Sequence, residues 1–439
     1  MEHDSIRYIP LRYDSANSHE SALNLILALR PDWKQSQQTI EFVRFTDGIT
    51  NTAPSPADHR TERAHPQLFK AINRLPGWSE EQVDRDAVLM RAYGRGTDVL
   101  IDRERETLSH SLLATHKLAP PLFARFENGL LYRFIEGTVC SPADLRRQEI
   151  WRGVARRLAQ WHATLPIDSI ISEIPNEESS SAPNSQSGHR RKSSWLVAVD
   201  NITPDKPSPN LWTVMQKWIH SLPQENEEEK KRRQRLQNEL VWIVSLLGST
   251  PGISENPLVF CHCDLLYGNV IIEPQPSTGA SPASTAESHS TDSSIEAAKV
   301  DFIDYEYATP APAAFDIANH FAEWGGFECD YNAMPTRSER RDFIRQYVES
   351  HSAHLPHPFS DAEMERKTDQ LFQEVDAFRG IPGFYWGVWA LIQARISQID
   401  FDYANYAEVR LGEYWAWKDQ LLGRRTGEMT LREKRWAQE

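Results

Sequence analysis

Short apolar runs and turn-forming residues dominate the first third of the chain, and this pattern is typical of a sheet. Strands are predicted over Glu41–Phe45 and Ala87–Tyr93, on either side of a turn at Asp47–Gly48, and over Leu130–Ile135. Asp102–His116 has apolar residues at helical spacing and acidic residues in its first turn, which predicts an amphipathic helix. This part of the chain is therefore predicted to contain strands and one helix.

After residue 135, most apolar residues recur at helical spacing, which predicts helices. Short strands interrupt it near Val259–Cys261, Val270–Glu273 and Val300–Ile303. A sheet-rich segment followed by a helix-rich one predicts an α+β fold with two lobes. We expect a small N-terminal lobe over residues 1–135 and a larger, mostly helical C-terminal lobe over residues 136–439. A chain of 439 residues is also longer than one ordinary hydrophobic core requires.

Three segments have almost no apolar residues and break this pattern. They are rich in Ser, Pro and charged residues, and they cover residues 53–67, 172–194 and 274–296. Such segments cannot bury enough apolar surface to offset the entropy cost of ordering them. They are therefore predicted to be mobile loops, the first inserted in the small lobe and the other two in the large lobe.

The chain carries a formal net charge of −14. Nucleic acid is bound by cationic surfaces, so this charge argues against a nucleic-acid partner. It suits a small cationic substrate, although ordinary solubility charge explains most of it. The run of mixed charges that begins at Glu225 is interpreted as the solvated face of a helix that extends to Leu247.

The four cysteines are Cys140, Cys261, Cys263 and Cys329. Their spacing lacks the second close pair of a zinc site, and four thiols without a disulfide framework fit a reducing compartment. The N-terminus lacks the basic and apolar regions of a signal peptide. No apolar run reaches the roughly 18 residues of a membrane span. A cytoplasmic protein is the expectation.

The densest chemical signal is a polar loop between two apolar runs. From Val259 to Ile272 the sequence reads VFCHCDLLYGNVII, so that Asn269 follows Asp264 at the fifth position. Phosphoryl transfer needs a carboxylate that accepts the proton of the attacking hydroxyl, and it needs oxygen ligands for Mg²⁺. Asp264 and Asn269 supply both at the spacing of a kinase catalytic loop. A turn rich in Asx residues is the alternative.

A second carboxylate strengthens the kinase interpretation. The run KVDFIDYEY at Lys299–Tyr307 is an apolar strand that ends at Asp304. In kinase-like folds a second Asp follows the catalytic loop through a short hairpin and holds the metal. Without the polar segment 274–296, the separation of Asn269 and Asp304 is that of a hairpin. An exposed acidic strand end is the alternative for Asp304.

These motifs resemble those of the choline/ethanolamine kinase family. The resemblance rests on His262–Asn269, Ile303–Tyr307 and the run FDIANHFAEW at Phe315–Trp324, and it continues through Phe384–Arg395 and Ile399–Phe401. It implies a bilobal, protein-kinase-like fold and ATP-dependent phosphorylation of the hydroxyl of an amino alcohol. ATP and Mg²⁺ are the implied cofactors, and a homodimer is left open.

The resemblance also implies roles for single residues of the large lobe. Asp264 is the expected catalytic base. Asn269 and Asp304 are the expected Mg²⁺ ligands, and Glu306 is expected to assist at the metal. Two further residues are expected to support the catalytic region structurally, although the first of them also fits a buried helix cap: Asp316 and Asn319.

The nucleotide site is expected in the small lobe. Arg91 falls where the family uses a strand arginine against the ATP phosphates, and Glu106 matches the acidic residue that pairs with this cation. The other expected nucleotide-binding residues belong to a phosphate-covering turn and to the linker between the lobes: Gly48, Thr50, Asn51, Phe134 and Ile135. A simple hairpin, a solvent-facing arginine and helix-start charge are the structural alternatives. The segment 53–67 departs from the family pattern directly after the turn and puts the nucleotide-covering loop in question.

Aromatic side chains are frequent in the last helices, and aromatic faces attract an ammonium group. The resemblance implies that the amino-alcohol pocket is lined by five residues and that Glu323 neutralises the cation. The five lining residues are Trp386, Trp389, Ile399, Phe401 and Tyr406. Aromatics at helical spacing also fit a hydrophobic core, which is the favoured interpretation for Trp415 and Trp417.

Ethanolamine is the favoured substrate. The GITN turn at Gly48–Asn51 and the run IDFDY at Ile399–Tyr403 look more like ethanolamine kinases than choline kinases. The product would be phosphoethanolamine, which serves phosphatidylethanolamine synthesis through the CDP-ethanolamine pathway. Choline kinase, a related antibiotic or protein kinase, and a catalytically impaired kinase-fold scaffold are the alternatives. Intact Asp264, Asn269 and Asp304 argue against the scaffold.

Overall fold

The computed structural model describes most of both predicted lobes. The described residues are 6–45, 67–93, 100–167, 209–253, 257–274, 296–397 and 399–439. Gly48, Thr50 and Asn51 of the predicted phosphate-covering turn lie outside these ranges. The three polar segments also lie outside them, except for their end residues Gln67, Pro274 and Glu296.

A six-stranded sheet forms the small lobe. Its strands are β1 (Tyr8–Ile9), β2 (Ile40–Phe45), β3 (Gln67–Asn73), β4 (Val88–Ala92), β5 (Leu122–Phe126) and β6 (Gly129–Arg133). They are ordered β1-β5-β6-β4-β3-β2, and all neighbours are antiparallel except β1 and β5. The sequence placed β2 and β4 on either side of one turn, whereas β3 lies between them and pairs with both.

Strand β4 is central in this sheet, and all five of its residues are buried. Successive side chains of a strand point to opposite faces. Val88 and Met90 pack in the hydrophobic core of the small lobe. Arg91 therefore points to the other face of the sheet, where it meets carboxylates of the large lobe.

The small lobe contains more helix than the sequence analysis predicted. Its helices are α1 (Ser18–Leu29), α2 (Glu80–Asp86) and α3 (Arg103–Thr115). Helix α3 confirms the predicted helix, and the prediction of a single helix in this lobe is wrong. The buried residues of α1 are Ala22, Leu25, Ile26 and Leu29. This is helical i, i+3, i+4, i+7 spacing, so the signal for α1 was present in the sequence.

The rest of the chain is mostly helical, as predicted. Its helices are α4 (Pro142–Leu145), α5 (Gln148–Thr164), α6 (Leu211–Ser221), α7 (Glu227–Leu247), α8 (Ala313–Glu323), α9 (Arg337–Ala353), α10 (Asp361–Phe378), α11 (Ile381–Ile396), α12 (Tyr403–Leu421) and α13 (Leu431–Ala437). The fold is therefore α+β, with a small sheet region and a larger helical one, as predicted. The boundary between residues 135 and 136 stays a prediction.

Two small sheets in the large lobe hold the predicted catalytic segments. Their strands are β7 (Thr138–Val139), β8 (Val259–Cys261), β9 (Val270–Ile272), β10 (Val300–Phe302) and β11 (Thr309–Ala311). β9 pairs with both β7 and β10, and β8 pairs with β11. The antiparallel pairing of Val270 with Phe302 confirms that the two predicted strands form a hairpin. That hairpin brings the segment after β10 next to the loop between β8 and β9.

Candidate active site

The loop between β8 and β9 carries Asp264 and Asn269. Because both strands are hydrogen-bonded in sheets, the two ends of this loop are fixed. The Asn269 Nδ2 group donates to the main-chain oxygen of Asp264 at 2.8 Å and lies 3.3 Å from Asp264 Oδ2. The two residues lie side by side, and the amide group of Asn269 orients the Asp264 carboxylate.

Asp304 follows β10 and lies against the same loop. The Ile303 N–H donates to the main-chain oxygen of Asn269 at 3.0 Å, and His262 Nε2 is 3.0 Å from Ile303 O. Asp304 and Cys263 have φ angles of +65° and +64°. This conformation costs a non-glycine residue about 1–3 kcal/mol and is concentrated at functional sites. The strain here lies immediately beside the expected base and at an expected metal ligand.

A cluster of buried and half-buried charges joins the two lobes beside Asp304. Arg91 Nη1 is 2.6 Å from Asp304 Oδ1 and 3.6 Å from Glu106 Oε1, and Arg91 Nη2 donates to Glu306. Arg103 contacts Glu106 at 2.8 Å and Glu306 at 3.5 Å. Glu106, the expected partner of Arg91, is thus close to it. In total, two arginines contact the carboxylates of Glu106, Asp304 and Glu306.

Negative charge is concentrated in this region. Burial, followed by the charges of Asp304, Glu323 and Glu306, raises the pKa of Asp264 well above its usual range. Burial and Asp304 also raise the pKa of Glu306, against the opposing effect of Arg91. A cation bound between these groups would favour the ionised carboxylates and lower both pKa values.

Asp316, in the first turn of α8, holds the loop between β8 and β9 from the large-lobe side. Its Oδ2 accepts from the His262 N–H at 2.9 Å, and its Oδ1 accepts from the Cys263 N–H at 2.8 Å. Asn319 donates to Cys263 O at 3.0 Å. The helix-cap alternative for Asp316 is wrong, because these N–H groups belong to the loop. Both residues therefore hold the main chain of the loop between β8 and β9, which agrees with the structural role that the resemblance implied.

His162 on α5 completes the support of Asp316. Its Nε2 lies 3.0 Å from Asp316 Oδ2, and its Nδ1 lies 2.7 Å from the Tyr347 hydroxyl. Burial alone would raise the pKa of Asp316, but its bond to His162 and the charge of His262 hold it below the usual value. Cys261 Sγ lies within 4.8 Å of the His162 and Asp316 ligand atoms and donates to Ala311 O. Since these atoms are engaged by protein groups, we interpret the trio as a structural network.

Trp386 and Trp389 on α11 are buried beside the loop. Their rings are perpendicular, with centroids 5.4 Å apart. Trp386 Nε1 donates to Asn319 Oδ1 at 2.8 Å, and Trp389 Nε1 donates to the Tyr307 hydroxyl at 2.8 Å. Tyr307 lies three residues beyond Asp304. The tryptophan pair is therefore hydrogen-bonded both to Asn319, which supports the loop, and to the segment that carries Asp304 and Glu306.

The aromatic surface continues onto α12. The Tyr403 ring is 5.7 Å from Trp389 and 4.8 Å from Phe401, and Phe401 is 5.6 Å from Tyr406. Ile399 is half-buried and packs on the same core. The structure thus brings together four of the five residues expected to line one pocket, namely Trp386, Trp389, Phe401 and Tyr406. Of the two tryptophans assigned to the core, Trp417 is buried, whereas Trp415 is partly exposed.

Glu323, the last residue of α8, is buried near these aromatics. Burial raises its pKa to about 7, although the charge of Arg410 opposes the rise. Arg410 Nη2 is 3.5 Å from Glu323 Oε1, and the guanidinium lies 5.8 Å from the Tyr406 ring centroid. Within the described ranges, Glu323 Oε1 has no hydrogen-bond partner. A buried carboxylate oxygen without a donor is costly, so this atom is suited to accept from a ligand N–H.

The linker residues Phe134 and Ile135 are half-buried at the end of the small-lobe sheet. The Phe134 N–H donates to Ala87 O at 3.4 Å. Its ring lies 3.8 Å from Lys70 Nζ and stacks on Phe45 with centroids 6.4 Å apart. These contacts fix the linker, and the expected contact with a nucleotide stays a prediction.

Three residues of the site were not singled out from the sequence: Arg103, His162 and Arg410. Arg103 lies three positions before Glu106, and Arg410 lies four positions after Tyr406. Residues at these spacings share a helix face, so a search along the faces of the functional helices would have found both. His162 had no local signal, because its partners lie 154 and 185 residues away.

The donor atoms at the junction fit a magnesium ion. Mg²⁺ prefers carboxylate and amide oxygens and usually keeps several waters. Asn269 uses its amide nitrogen on Asp264, so its amide oxygen is left for a ligand. Asp304 and Glu306 carry further carboxylate oxygens, one of each paired with Arg91. The residues expected to hold the metal therefore have the right chemistry for Mg²⁺.

Comparison with known proteins identifies relatives over nearly the whole chain. Residues 67–415 match the family described as choline/ethanolamine kinase. The chain is similar to ethanolamine kinase 1 of Mus musculus, with 31% identity over 92% of this chain and 90% of that protein. It is 32% identical to the ethanolamine kinase of Drosophila melanogaster, over 95% of this chain and 80% of that protein.

A solved structure supports the same fold. The Plasmodium vivax ethanolamine kinase superimposes with a TM-score of 0.60 at 24% identity, over 91% of this chain and 89% of that one. In the parts of the chain that the structure describes, no helix combines the length and apolar character that crossing a bilayer requires.

Proposed function

The chain belongs to the choline/ethanolamine kinase family, and on this premise we propose that it uses ATP to phosphorylate the hydroxyl of ethanolamine, giving phosphoethanolamine. Membership of this kinase family implies ATP as phosphoryl donor and an amino alcohol as acceptor. The observation that carries the proposal is that one helix links the two parts of the site: α8 carries Asn319, which bonds to the residue directly before Asp264, and one turn later the buried Glu323. A cation subsite beside a proton acceptor suits a molecule with an ammonium group and a hydroxyl group.

Asp264 is the proposed catalytic base. The substrate hydroxyl donates its proton to Asp264, its oxygen bonds to the γ-phosphorus, and the bond from that phosphorus to the ADP oxygen breaks. Asn269 orients the carboxylate through its amide nitrogen. Asp316 fixes the main chain directly before Asp264. These contacts hold the acceptor oxygen in place before the substrate arrives, which reduces the reorganisation that the reaction requires.

Asn269, Asp304 and Glu306 are the proposed ligands of Mg²⁺. A bound Mg²⁺ neutralises charge on the phosphates during transfer. Arg91 and Arg103 already contact two of these three residues. Their guanidinium groups would add positive charge at the phosphate end of the site and limit the mutual repulsion of the carboxylates.

Two observations favour ethanolamine over choline. Glu323 Oε1 needs a hydrogen-bond donor, and a primary ammonium can supply one, whereas a quaternary ammonium has no N–H group. The relatives with 31% and 32% identity also bear the name ethanolamine kinase. Phosphoethanolamine made here would enter phosphatidylethanolamine synthesis through the CDP-ethanolamine pathway.

A coupled ADP-release assay with ethanolamine, choline or no acceptor tests the proposal. We expect kcat/KM for ethanolamine to exceed that for choline by about 10-fold or more, since an unmatched buried acceptor costs about 1–3 kcal/mol. A preference for choline would identify a choline kinase. If neither ethanolamine nor choline raises ADP release above the control without acceptor, the impaired-scaffold alternative is favoured.

The assignment of the base is tested by Asp264→Asn. We expect kcat to fall by a factor of about 10²–10⁴, the usual contribution of a general base, with little change in ATP binding. Asp301→Asn is the matched control, because Asp301 lies on β10 but is paired with Arg157. Turnover of the Asp264→Asn enzyme at the rate of the Asp301→Asn enzyme would exclude Asp264 as the base.

A further inference from the structure

Four buried charges of alternating sign form a row that begins at Glu323, the residue expected to neutralise the substrate cation. Arg410 Nη2 lies 3.5 Å from Glu323 Oε1, and Arg410 Nη1 lies 3.5 Å from Glu413 Oε2. Arg432 Nε is 3.4 Å from the same Glu413 oxygen. All four residues are at most 7% exposed. Burying charges is costly unless they are paired, so the row is stable only as a set.

The position of Arg410 in this row is unexpected for a pocket that takes a cation. Its guanidinium lies next to both Glu323 and Tyr406, and its positive charge repels an ammonium group. The same charge favours the ionised form of Glu323, which burial disfavours. A protonated Glu323 would offer the cation no charge at all. The arginine therefore assists cation binding if its effect on Glu323 exceeds its direct repulsion.

The contact between Arg410 and Glu323 also leaves the carboxylate available. Although Arg410 Nη2 and Glu323 Oε1 are 3.5 Å apart, neither atom has a hydrogen-bond partner among the residues described. The pair attracts through charge without a closed hydrogen bond. A substrate N–H group can thus bond to Glu323 Oε1 without displacing the arginine.

We propose that Arg410 is a positioning residue for the amino alcohol, which acts by keeping the Glu323 carboxylate charged and directed at the substrate ammonium. This inference rests on the proposed function. Arg410 does not touch the reacting atoms, and its effect reaches the substrate through Glu323.

Charged and titratable groups from three directions act on Glu323 or respond to it. From α12, Arg410 lowers its pKa and Glu413 raises it, and Tyr406 lies on the same face. Beyond the effect of burial, the charge of Glu323 raises the pKa of Asp264 and Tyr267 on the loop between β8 and β9. It also raises the pKa of Cys329 in the segment after α8. Since Arg410 and Glu413 act in opposite directions, substitutions at the two positions should move the Glu323 titration in opposite directions.

The test is the pH dependence of KM, measured with choline because its charge is permanent and cannot itself titrate. In the unsubstituted enzyme, KM should fall as the pH rises through about 7 and Glu323 ionises. Arg410→Gln should move this midpoint upward by about one unit, which lowers the ionised fraction of Glu323 and raises KM at pH 7 about 5-fold. The KM for ATP and kcat at saturating choline should change little. Arg410→Lys keeps the positive charge, so its midpoint should lie close to that of the unsubstituted enzyme.

Glu413→Gln keeps the inference testable if Arg410→Gln folds poorly, and it should move the midpoint downward. Arg345→Gln is the control for the substitution itself, because Arg345 is exposed on α9. If KM and its midpoint are the same in Arg410→Gln and Arg345→Gln, or if Glu413→Gln also moves the midpoint upward, Arg410 is only structural. That result leaves the proposed function intact, whereas an unsubstituted enzyme that phosphorylates no amino alcohol overturns the proposed function.

Discussion

Asp316 is a single buried carboxylate that serves the proposed chemistry from a distance. Its two oxygens accept the N–H groups of His262 and Cys263, the two residues directly before Asp264. Cys263 has a positive φ angle, and a strained residue keeps its conformation only where its surroundings hold it. Asp316 supplies that restraint, and its own charge is supported by His162. The direction of Asp264 therefore depends on a residue that lies 52 positions later in the chain.

Asp316→Asn should weaken both the fold and the chemistry. The substitution replaces one acceptor oxygen with an NH₂ group, which faces a backbone or His162 donor. We expect the free energy of unfolding to fall by about 2–4 kcal/mol. We also expect kcat to fall about 100-fold, since a displacement of the base by about 1 Å has this effect, with a smaller change in the KM for ATP. Denaturant unfolding and steady-state kinetics measure the two effects.

Asp369→Asn is the matched control for Asp316→Asn. Asp369 is half-exposed on α10 and pairs with Arg341, so its loss should leave stability and kcat almost unchanged. If Asp316→Asn loses stability but keeps the kcat of the control, Asp316 supports the large lobe without orienting Asp264.

At the scale of elements, two glycines let α11 approach α12. A Cβ atom at Gly383 would lie 2.5 Å from the main-chain oxygen of Arg410, and one at Gly387 would lie 2.7 Å from the Leu411 side chain. The glycines flank Trp386 on α11, so the close approach places the tryptophans against the α12 aromatics. Glycine lowers helix propensity by up to about 1 kcal/mol, and here this cost permits a contact between helix backbones.

Gly383→Ala should separate the two helices. We expect the clash with the Arg410 backbone to cost about 1–3 kcal/mol of stability, partly offset by better helix propensity. The KM for ethanolamine should rise several-fold, because Tyr406 and Arg410 move relative to Trp386, while the KM for ATP should stay nearly constant. Thermal unfolding and steady-state kinetics measure these changes.

Gly412→Ala is the control for the glycine prediction. Gly412 lies within α12, and an added Cβ would meet nothing within 4 Å. This variant should be as stable as the unsubstituted protein or more stable by up to about 1 kcal/mol. Equal stability and equal KM values in Gly383→Ala and Gly412→Ala would show that the helices tolerate a methyl group at their contact.

The elements that sequence predicts best are those whose signal is local. The strands around the catalytic loop and the helix over Glu227–Leu247 were predicted to within two residues, because apolar runs and helical spacing mark them directly. The order of the small-lobe sheet was not predicted, since β4 pairs with β6 across the whole of α3. Such pairing depends on contacts between distant segments, which no local pattern records.

At the scale of the whole molecule, the proposed site exists only where the lobes meet. Arg91 comes from the small-lobe sheet, and its partners Asp304 and Glu306 lie 213 and 215 residues further along the chain. The motifs indicated which side chains would converge. The row of charges through Arg410 was not predicted, because buried ion pairs between helices have no sequence period of their own. Sequence therefore indicates the reacting groups better than it indicates what holds and tunes them.

The junction of the lobes should also be where nucleotide and metal stabilise the protein. A ligand that binds only the folded state at 100 times its Kd adds about 2.7 kcal/mol to the free energy of unfolding. For the unsubstituted protein, ADP with Mg²⁺ should raise the unfolding temperature more than ADP with EDTA. Asp304→Asn should reduce this metal-dependent increment strongly, because a neutral amide oxygen attracts Mg²⁺ less than a negatively charged carboxylate oxygen does. Asp301→Asn, altered three residues earlier on β10, should keep the full increment.

Since Asp304 also pairs with Arg91, the unfolding temperature of the Asp304→Asn protein without ligand should be lower. The ligand-induced increments, and not the absolute temperatures, are therefore compared. A metal-dependent increment of the same size in both variants would contradict Asp304 as a magnesium ligand.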